Sequence, residues 1–246
     1  MSARLGIVGG YLGSGKSTLL NRVLSGAALG RTAVVVNDFG SVNVDADLIA
    51  SADGDTLDLT NGCICCQATD DTARVMSALA ARRDLDHVLC EVSGVGDPGQ
   101  LAAWRRFPGF RAGPVLVCAD ATRIEALLED EYVADTVARQ LGSAEVVLVT
   151  KTDLCTPEYS ELAAARCRDA APRADVVLQS GTDPASSAEM VMSRVPSPSG
   201  PVPTTDPDPH TSTHVSRTVT TTGSVDPDTL CRVLDQHSDR LARAKG

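Results

Sequence analysis

The segment Gly10–Ser17, GYLGSGKS, constrains the fold of this chain more than any other feature. It fits the pattern G-x-x-x-x-G-K-S/T, in which a glycine-rich loop joins a strand to a helix and wraps around phosphate groups. An apolar β-rich run, Arg4–Gly9, precedes the loop, and a helix-forming run, Lys16–Ala28, follows it. Because both neighbours match the context that the pattern requires, we favour a phosphate-binding loop over a plain glycine-rich turn.

The residues of this loop have distinct expected roles. Backbone N–H groups at the loop and at the start of the helix would point at phosphate oxygens. Lys16 would reach the β- and γ-phosphates and the Ser17 hydroxyl would bind Mg²⁺, so both are candidate catalytic residues. The predicted nucleotide-binding residues of this segment are Gly10, Gly13, Ser14, Gly15, Lys16, Ser17 and Thr18.

Short apolar β-rich runs alternate with longer amphipathic runs along the chain. The predicted strands are Arg4–Gly9, Thr32–Asn37, Thr56–Leu59, His87–Glu91, Pro114–Ala119, Glu145–Thr150 and Asp175–Leu178. The predicted helices are Lys16–Ala28, Thr69–Arg83, Tyr132–Leu141 and Pro157–Ala170. This alternation predicts an α/β fold with a mostly parallel sheet flanked by helices, in which ligands bind at the carboxyl ends of the strands.

A carboxylate ends the predicted strand His87–Glu91, and the segment that it opens, Glu91–Gly94, reads EVSG. A buried carboxylate is costly without a cation or hydrogen-bond donors. We therefore expect Glu91 to orient the Mg²⁺ shell as a catalytic residue, and the Gly94 backbone N–H to meet the γ-phosphate. A surface glutamate at a strand end is the alternative.

A second loop, Thr150–Asp153, reads TKTD and resembles the guanine-recognition motif N/T-K-x-D. The Asp153 carboxylate would accept hydrogen bonds from N1–H and the N2 amine of guanine, whereas adenine has an acceptor at N1 and no N2 amine. The stem of Lys151 would cover the face of the base. Thr150 stands where asparagine is usual, which weakens its role in bracing the loop but keeps one hydroxyl. We predict that Thr150, Lys151 and Asp153 bind the base; a charged strand-to-helix turn is the alternative.

Three of the eight cysteines are clustered in the segment Asn61–Cys66, NGCICC. Asn-Gly favours a tight turn, and a curled loop can bring three thiols to one point. Thiolates select zinc, Cu(I) or related ions, and three sulfurs leave one coordination position open. Cys63, Cys65 and Cys66 are therefore candidate metal ligands, with chance clustering or a redox pair as the alternatives.

Composition excludes several functions and divides the chain. A net charge of −10 argues against nucleic-acid binding. The absence of a long apolar run or signal-like N-terminus leads us to expect a cytoplasmic protein without a membrane partner. Six of the 13 prolines lie between residues 196 and 211. We predict a nucleotide-binding domain over residues 1–193, a Pro-rich linker over 194–212 and a small, incomplete C-terminal α+β segment over 213–246, with a strand over 214–221 and a helix over 226–243.

Together these motifs resemble the CobW-type metallochaperone GTPases, whose pattern runs GxLGxGKT/S, NEFG, GCxCC, ExSG and N/TKxD. In this chain the NEFG position is occupied by Asn37–Gly40, NDFG. The resemblance implies slow GTP hydrolysis, Zn²⁺, Co²⁺ or another transition metal at the cysteine loop, and delivery of that metal to a client protein. It also implies a role for Asp38, one methylene shorter than the family glutamate, in binding Mg²⁺ or the metal. A nucleotide-dependent homodimer is a further expectation.

Two other functions compete with a GTPase coupled to metal transfer. The first is a metal-binding regulator or reservoir whose nucleotide site sets conformation but turns over little. The second is a small-molecule kinase, which would need an acceptor site that the sequence does not reveal and would leave the cysteines unexplained.

Overall fold

The computed structural model describes residues 2–25, 29–36, 56–58, 70–179 and 226–236. The strands within these residues are β1 (Arg4–Gly9), β2 (Thr32–Val36), β3 (Thr56–Asp58), β4 (His87–Glu91), β5 (Arg111–Asp120), β6 (Val146–Thr150) and β7 (Asp175–Leu178). They form one seven-stranded sheet in the order β3-β2-β4-β1-β5-β6-β7. Every pairing between neighbouring strands is parallel.

Helices follow most of the strands in the described part of the chain. They are α1 (Lys16–Ser25), α2 (Asp70–Ala81), α3 (Pro98–Leu101), α4 (Ile124–Glu129), α5 (Ala134–Gly142), α6 (Pro157–Ala170) and α7 (Pro227–Asp235). Two short 3-10 turns lie at Ala102–Arg106 and Thr152–Leu154. None of the described helices is long and apolar enough to cross a membrane.

The central strand β1 shows how the sheet buries both of its faces. Successive side chains of a strand point to opposite faces, and Ile7 and Val8 accordingly belong to different apolar clusters. The Ile7 cluster includes Met76 and Leu79 of α2, and the Val8 cluster includes Leu20 of α1. Helices therefore pack on both faces of the sheet, which confirms the predicted α/β class with a mostly parallel sheet.

The strand register brings the predicted motifs to one edge of the sheet. Val8 pairs with Glu91 on one side and with Leu116 on the other. Further along the same edge, Asp120 at the end of β5 pairs with Thr150 at the end of β6. The loops that leave β1, β4, β5 and β6 consequently meet at the carboxyl edge.

Most element boundaries agree with the sequence prediction, and the differences have simple causes. β5 begins at Arg111 rather than Pro114, because the Arg111 N–H donates a 2.8 Å hydrogen bond to the Ala3 carbonyl although its side chain is exposed. The short helices α3 and α4 were not predicted, since neither is long enough to show a clear helical period. α3 instead depends on its cap: Asp97 accepts from the Gly99 N–H at 2.7 Å.

Several sequence predictions lie outside the described residues. α7 falls within the predicted helix 226–243, but the predicted strand 214–221 and the linker 194–212 cannot be compared with the structure. The domain boundaries over residues 1–193 and 213–246 therefore stay predictions.

Candidate nucleotide-binding site

The segment after β1 forms a tightly curled loop at the carboxyl edge of the sheet. We call this segment, Gly10–Ser17, the phosphate loop. Gly10, Gly13 and Gly15 have φ angles of +135°, +77° and +91°, a region that favours glycine. A side chain at Gly10 would also collide with the Cys118 carbonyl and would lie 2.6 Å from Ser14 Oγ. The glycines are thus required both by the backbone conformation and by close packing against β5.

Lys16 is folded back over this loop. Its Nζ donates hydrogen bonds to the carbonyl oxygens of Gly10 at 2.8 Å and Tyr11 at 3.3 Å, and the residue is only 4% exposed. Lys16, Ser17 and Thr18 form the first turn of α1, whose N-terminus carries a partial positive charge. Loop carbonyls therefore hold the ammonium group beside the helix N-terminus, where an anion is favoured.

The segment after β4 packs directly against the phosphate loop. Glu91 is 2% exposed, and the next residue, Val92, donates a 2.8 Å hydrogen bond to the Val8 carbonyl. A side chain added at Gly94 would collide with Leu12 of the phosphate loop. The EVSG segment and the phosphate loop are consequently in contact, as the shared sheet edge predicts.

The donors at this edge fit Mg²⁺. The Ser17 hydroxyl and the Glu91 carboxylate supply hard oxygen atoms, the ligand type that Mg²⁺ prefers. Asp38, the other predicted Mg²⁺ ligand, lies outside the described residues. The roles of Ser17, Glu91 and Asp38 in Mg²⁺ binding remain predictions.

Thr150 links the TKTD loop to the phosphate loop. Its Oγ1 lies 2.8 Å from the Ser14 carbonyl oxygen and 3.1 Å from the Ala119 carbonyl oxygen, so one hydroxyl proton is shared between the two acceptors. Threonine was expected to brace this loop less well than the usual asparagine. The buried hydroxyl nevertheless reaches across from one loop to the other.

The TKTD loop is also held by a carboxylate that the sequence analysis did not single out. Lys151 has a left-handed φ of +58°, and its Nζ lies 2.6 Å from Oδ2 of Asp120. Asp120 is 3% exposed, and its Oδ1 accepts hydrogen bonds from the Thr122 N–H and hydroxyl at 2.9 and 2.6 Å. A buried carboxylate at a strand end was the signal used for Glu91, and it would have found Asp120 as well.

The residue after β7 completes the support of this loop. Gln179 accepts through its side-chain oxygen from the Lys151 N–H at 3.3 Å and through its backbone carbonyl from the Thr152 hydroxyl at 2.6 Å. Asp153 lies in the following 3-10 turn and is exposed. The support of the loop by Asp120 and Gln179 leaves the Asp153 side chain open to a ligand.

A cation that the sequence analysis also overlooked lies beside the phosphate loop. One guanidinium nitrogen of Arg123, Nη1, lies 3.6 Å from the position that a Cβ would take on Gly13. Arg123 itself is exposed, and it follows β5 by three residues. In a chain with a net charge of −10, Arg123 adds a local positive charge where phosphates are expected.

The predicted cysteine ligands Cys63, Cys65 and Cys66 lie outside the described residues. Cys90, Cys118 and Cys167 are buried, as expected for cysteines that act as small apolar side chains. Burial raises the pKa of each of these three thiols to about 12, which keeps them protonated at neutral pH. In the part of the chain that the structure describes, His, Cys, Asp and Glu form no group of three that could hold a metal ion.

Comparison with solved structures agrees with this fold. The Zn(II)-bound YjiA GTPase from Escherichia coli has a TM-score of 0.52 and 20% identity, covering 74% of this chain and 59% of that one. HypB from Helicobacter pylori in complex with nickel has a TM-score of 0.51 and 18% identity, covering 77% of this chain and 83% of that one. At these identities the likeness concerns the fold alone.

Sequence comparison goes further. A zinc chaperone CobW from Sinorhizobium is 31% identical over 178 residues, covering 60% of this chain and 50% of that protein. The zinc chaperone YjiA from Escherichia coli is 32% identical over 152 residues, covering 59% and 48%. The chain thus spans about half the length of these curated relatives. The pattern of the CobW/HypB/UreG nucleotide-binding domain matches residues 5–178, and the chain therefore belongs to that family.

Proposed function

We propose that this chain binds and slowly hydrolyses GTP, and that it couples this cycle to the transfer of Zn²⁺ or a related transition metal to a client protein or cofactor pathway. The observation that carries the nucleotide assignment is the 2.8 Å contact between Thr150 Oγ1 and the Ser14 carbonyl oxygen. It ties the TKTD loop to the phosphate loop, and this supports one nucleotide bound across both loops. A single nucleoside triphosphate matches two loops joined in this way.

In this proposal the chain's own residues hold and orient the triphosphate. Lys16 would exchange its contacts with the Gly10 and Tyr11 carbonyls for β- and γ-phosphate oxygens. Ser17 and Glu91, with Asp38 as a further candidate, would hold Mg²⁺, which neutralises phosphate charge when bound. Asp153 would select guanine, with Lys151 lying over the face of the base.

We expect hydrolysis by the isolated protein to be slow. The segment Ser93–Asp97 contains no glutamine that could orient an attacking water. Unassisted GTPases that depend on such a residue turn over slowly even when it is present. A slow cycle suits a protein whose bound nucleotide marks a state rather than drives rapid turnover.

The metal is the cargo in this proposal. Cys63, Cys65 and Cys66 supply three soft ligands and leave one position open, which suits a site that must release its ion. Relatives named zinc chaperones support zinc as the first candidate. The order of the motifs also places the cysteine loop between NDFG and EVSG, the two segments expected to flank the γ-phosphate.

Nucleotide selectivity tests the GTPase assignment. GTP should bind at least tenfold more tightly than ATP, about 1.4 kcal/mol of discrimination, as measured by calorimetry with Mg²⁺ present. Asp153→Asn should weaken GTP binding and relatively favour xanthosine triphosphate, whose C2 oxygen accepts rather than donates. Lys16→Ala should abolish hydrolysis of GTP.

Two outcomes would contradict parts of this proposal. Equal affinities of the wild type for GTP and ATP would remove the guanine assignment. Tight GTP binding without turnover, with or without Zn²⁺, would instead favour a metal-binding regulator whose nucleotide only sets conformation.

A further inference from the structure

Gln140 of α5 is a buried polar side chain to which the nucleotide site described above assigns no role. The residue is 1% exposed, on a helix whose neighbouring side chains Val137 and Leu141 belong to the apolar core. Its Nε2 donates hydrogen bonds to the carbonyl oxygens of Gly94 at 3.2 Å and Gly96 at 2.7 Å. A buried amide is costly without such partners, so these two carbonyls explain its orientation.

The turn that Gln140 holds, Ser93–Gly96, begins within the EVSG segment. It is closed by a 3.0 Å hydrogen bond from the Gly96 N–H to the Ser93 carbonyl. Gly94 packs so closely on Leu12 that a side chain there would collide with it. Gln140 therefore fixes a turn that rests directly on the phosphate loop.

Gln140 also lines a small cavity that it shares with Ser14 of the phosphate loop. Among the described residues, neither Gln140 Oε1 nor Ser14 Oγ has a hydrogen-bond partner, and both atoms are buried. Gln140 and Ser14 line the same cavity of about 10 Å³. A buried water needs roughly 10–15 Å³ and two or more polar partners, so this cavity suits one water between the two atoms.

We propose that Gln140 is a positioning residue of the nucleotide site. Its Nε2 holds the turn Gly94–Gly96, and its Oε1 binds Ser14 of the phosphate loop through one buried water. The proposal rests on the proposed function, because it takes Gly94 as the residue that meets the γ-phosphate. Through Gln140, helix α5 keeps the backbone of Gly94 in the position where it would meet the γ-phosphate.

The test compares GDP with a non-hydrolysable GTP analogue. Gln140→Met keeps the side-chain volume but removes the donor and the acceptor of the amide, which leaves the two buried carbonyls of Gly94 and Gly96 without their donor. The contact of Gly94 with the γ-phosphate exists only in the triphosphate complex. We expect the affinity for the analogue to fall by about tenfold, as for loss of a buried hydrogen bond, and that for GDP to stay within about twofold.

Two further variants separate positioning from general destabilisation. Cys167→Ala removes buried volume from the same apolar cluster but from helix α6, at a residue that does not line the cavity, and should leave the ratio of the two affinities unchanged. Ser14→Ala should lower the affinity for the analogue relative to that for GDP. Adding Ser14→Ala to Gln140→Met should lower this ratio little further, because both substitutions remove the same water bridge. If Gln140→Met does not fold, Gln140→Asn, which retains the amide on a shorter stem, replaces it.

The outcomes distinguish the two levels of the proposal. A Gln140 variant that weakens the binding of GDP and of the analogue equally, or that behaves like Cys167→Ala, overturns the role of Gln140 alone. Fully additive effects of the Ser14 and Gln140 substitutions overturn the water bridge. A wild type that binds neither guanine nucleotide overturns the proposed function and this inference together.

Discussion

Lys151 has a backbone conformation that is uncommon for any residue other than glycine, asparagine or aspartate. The chain stabilises it from two sides, with Gln179 accepting from its N–H and Asp120 from its Nζ. The ammonium group is thus tied to the end of β5, which restricts the apolar stem of Lys151. Such a stem presents a flat apolar surface, which is what the face of a purine base requires.

This geometry predicts that Asp120 and Lys151 act as one unit in nucleotide binding. Asp120→Asn and Lys151→Met should each weaken GTP binding by about 1–3 kcal/mol, and the double variant should lose clearly less than the sum. Titration of the four proteins with GTP gives the coupling energy. The partly exposed pair Arg166 and Glu125 serves as a control, and its cycle should show no coupling in GTP affinity.

Motif residues were predictable from the sequence because their roles depend on local spacing. Gly10, Lys16 and Thr150 lie at strand ends that the apolar pattern marks clearly. Asp120 was missed although a carboxylate at a strand end is a local signal, whereas residues such as Gln140, which lies 46 residues from Gly94, depend on partners far along the chain. No local pattern distinguishes such residues from polar side chains on a helix or strand surface.

At the scale of elements, a buried ion pair ties the beginning of β5 to the beginning of β6. Arg105 Nη1 donates to Glu145 Oε2 at 2.8 Å and to the Gly113 carbonyl at 2.7 Å. Their side chains are 7% and 18% exposed. Glu145 also accepts from the Val115 N–H at 3.1 Å. This network lies at the opposite end of the strands from the phosphate loop.

Removing one partner should therefore affect stability and spare the nucleotide site. Arg105→Met should lower the free energy of unfolding by about 3 kcal/mol, because it leaves a largely buried carboxylate without its cation. Adding Glu145→Gln should recover part of that loss. Urea unfolding measures both, and Arg166→Met on the surface provides the matched control, with a change below about 1 kcal/mol. A changed affinity for GTP in the folded variant would contradict the separation of the two regions.

The bounds of an element were predicted best where a continuous apolar or amphipathic run marked them. The bounds of β1, β4, β7 and α6 agree with the prediction because each is a continuous apolar or amphipathic run. The helices α3 and α4 are four and six residues long. Over such lengths a cap such as Asp97 decides the structure, and a 3.6-residue period cannot be seen.

For the whole molecule, the proposed function predicts that metal and nucleotide influence each other's binding. Zn²⁺ affinity should differ between the GDP complex and a GTP-analogue complex by about 1–3 kcal/mol, and Zn²⁺ should change the nucleotide affinity by the same factor. Zn²⁺ titration against a competing chelator in both nucleotide states measures this. The Zn²⁺ affinity should also fall as the pH drops below neutral, because thiols must lose their protons to bind the metal.

The control for this prediction lies among the other cysteines. Cys65→Ser should weaken Zn²⁺ binding, whereas Cys118→Ser should not, because burial raises the pKa of the Cys118 thiol to about 12. Identical Zn²⁺ affinities in the two nucleotide states would leave a static metal site and exclude nucleotide-driven delivery. A Cys65→Ser protein that binds as tightly as the wild type would place the metal elsewhere.

The contact between Thr150 and Ser14 spans 136 residues of sequence, and it has a consequence for the order of events during synthesis. The phosphate loop leaves the ribosome well before β5 and β6, against which it packs. Gln179, which supports the TKTD loop, must also be made before that loop has its full support. A nascent chain therefore cannot capture its nucleotide early, and the first nucleotide bound marks a domain whose sheet is already assembled.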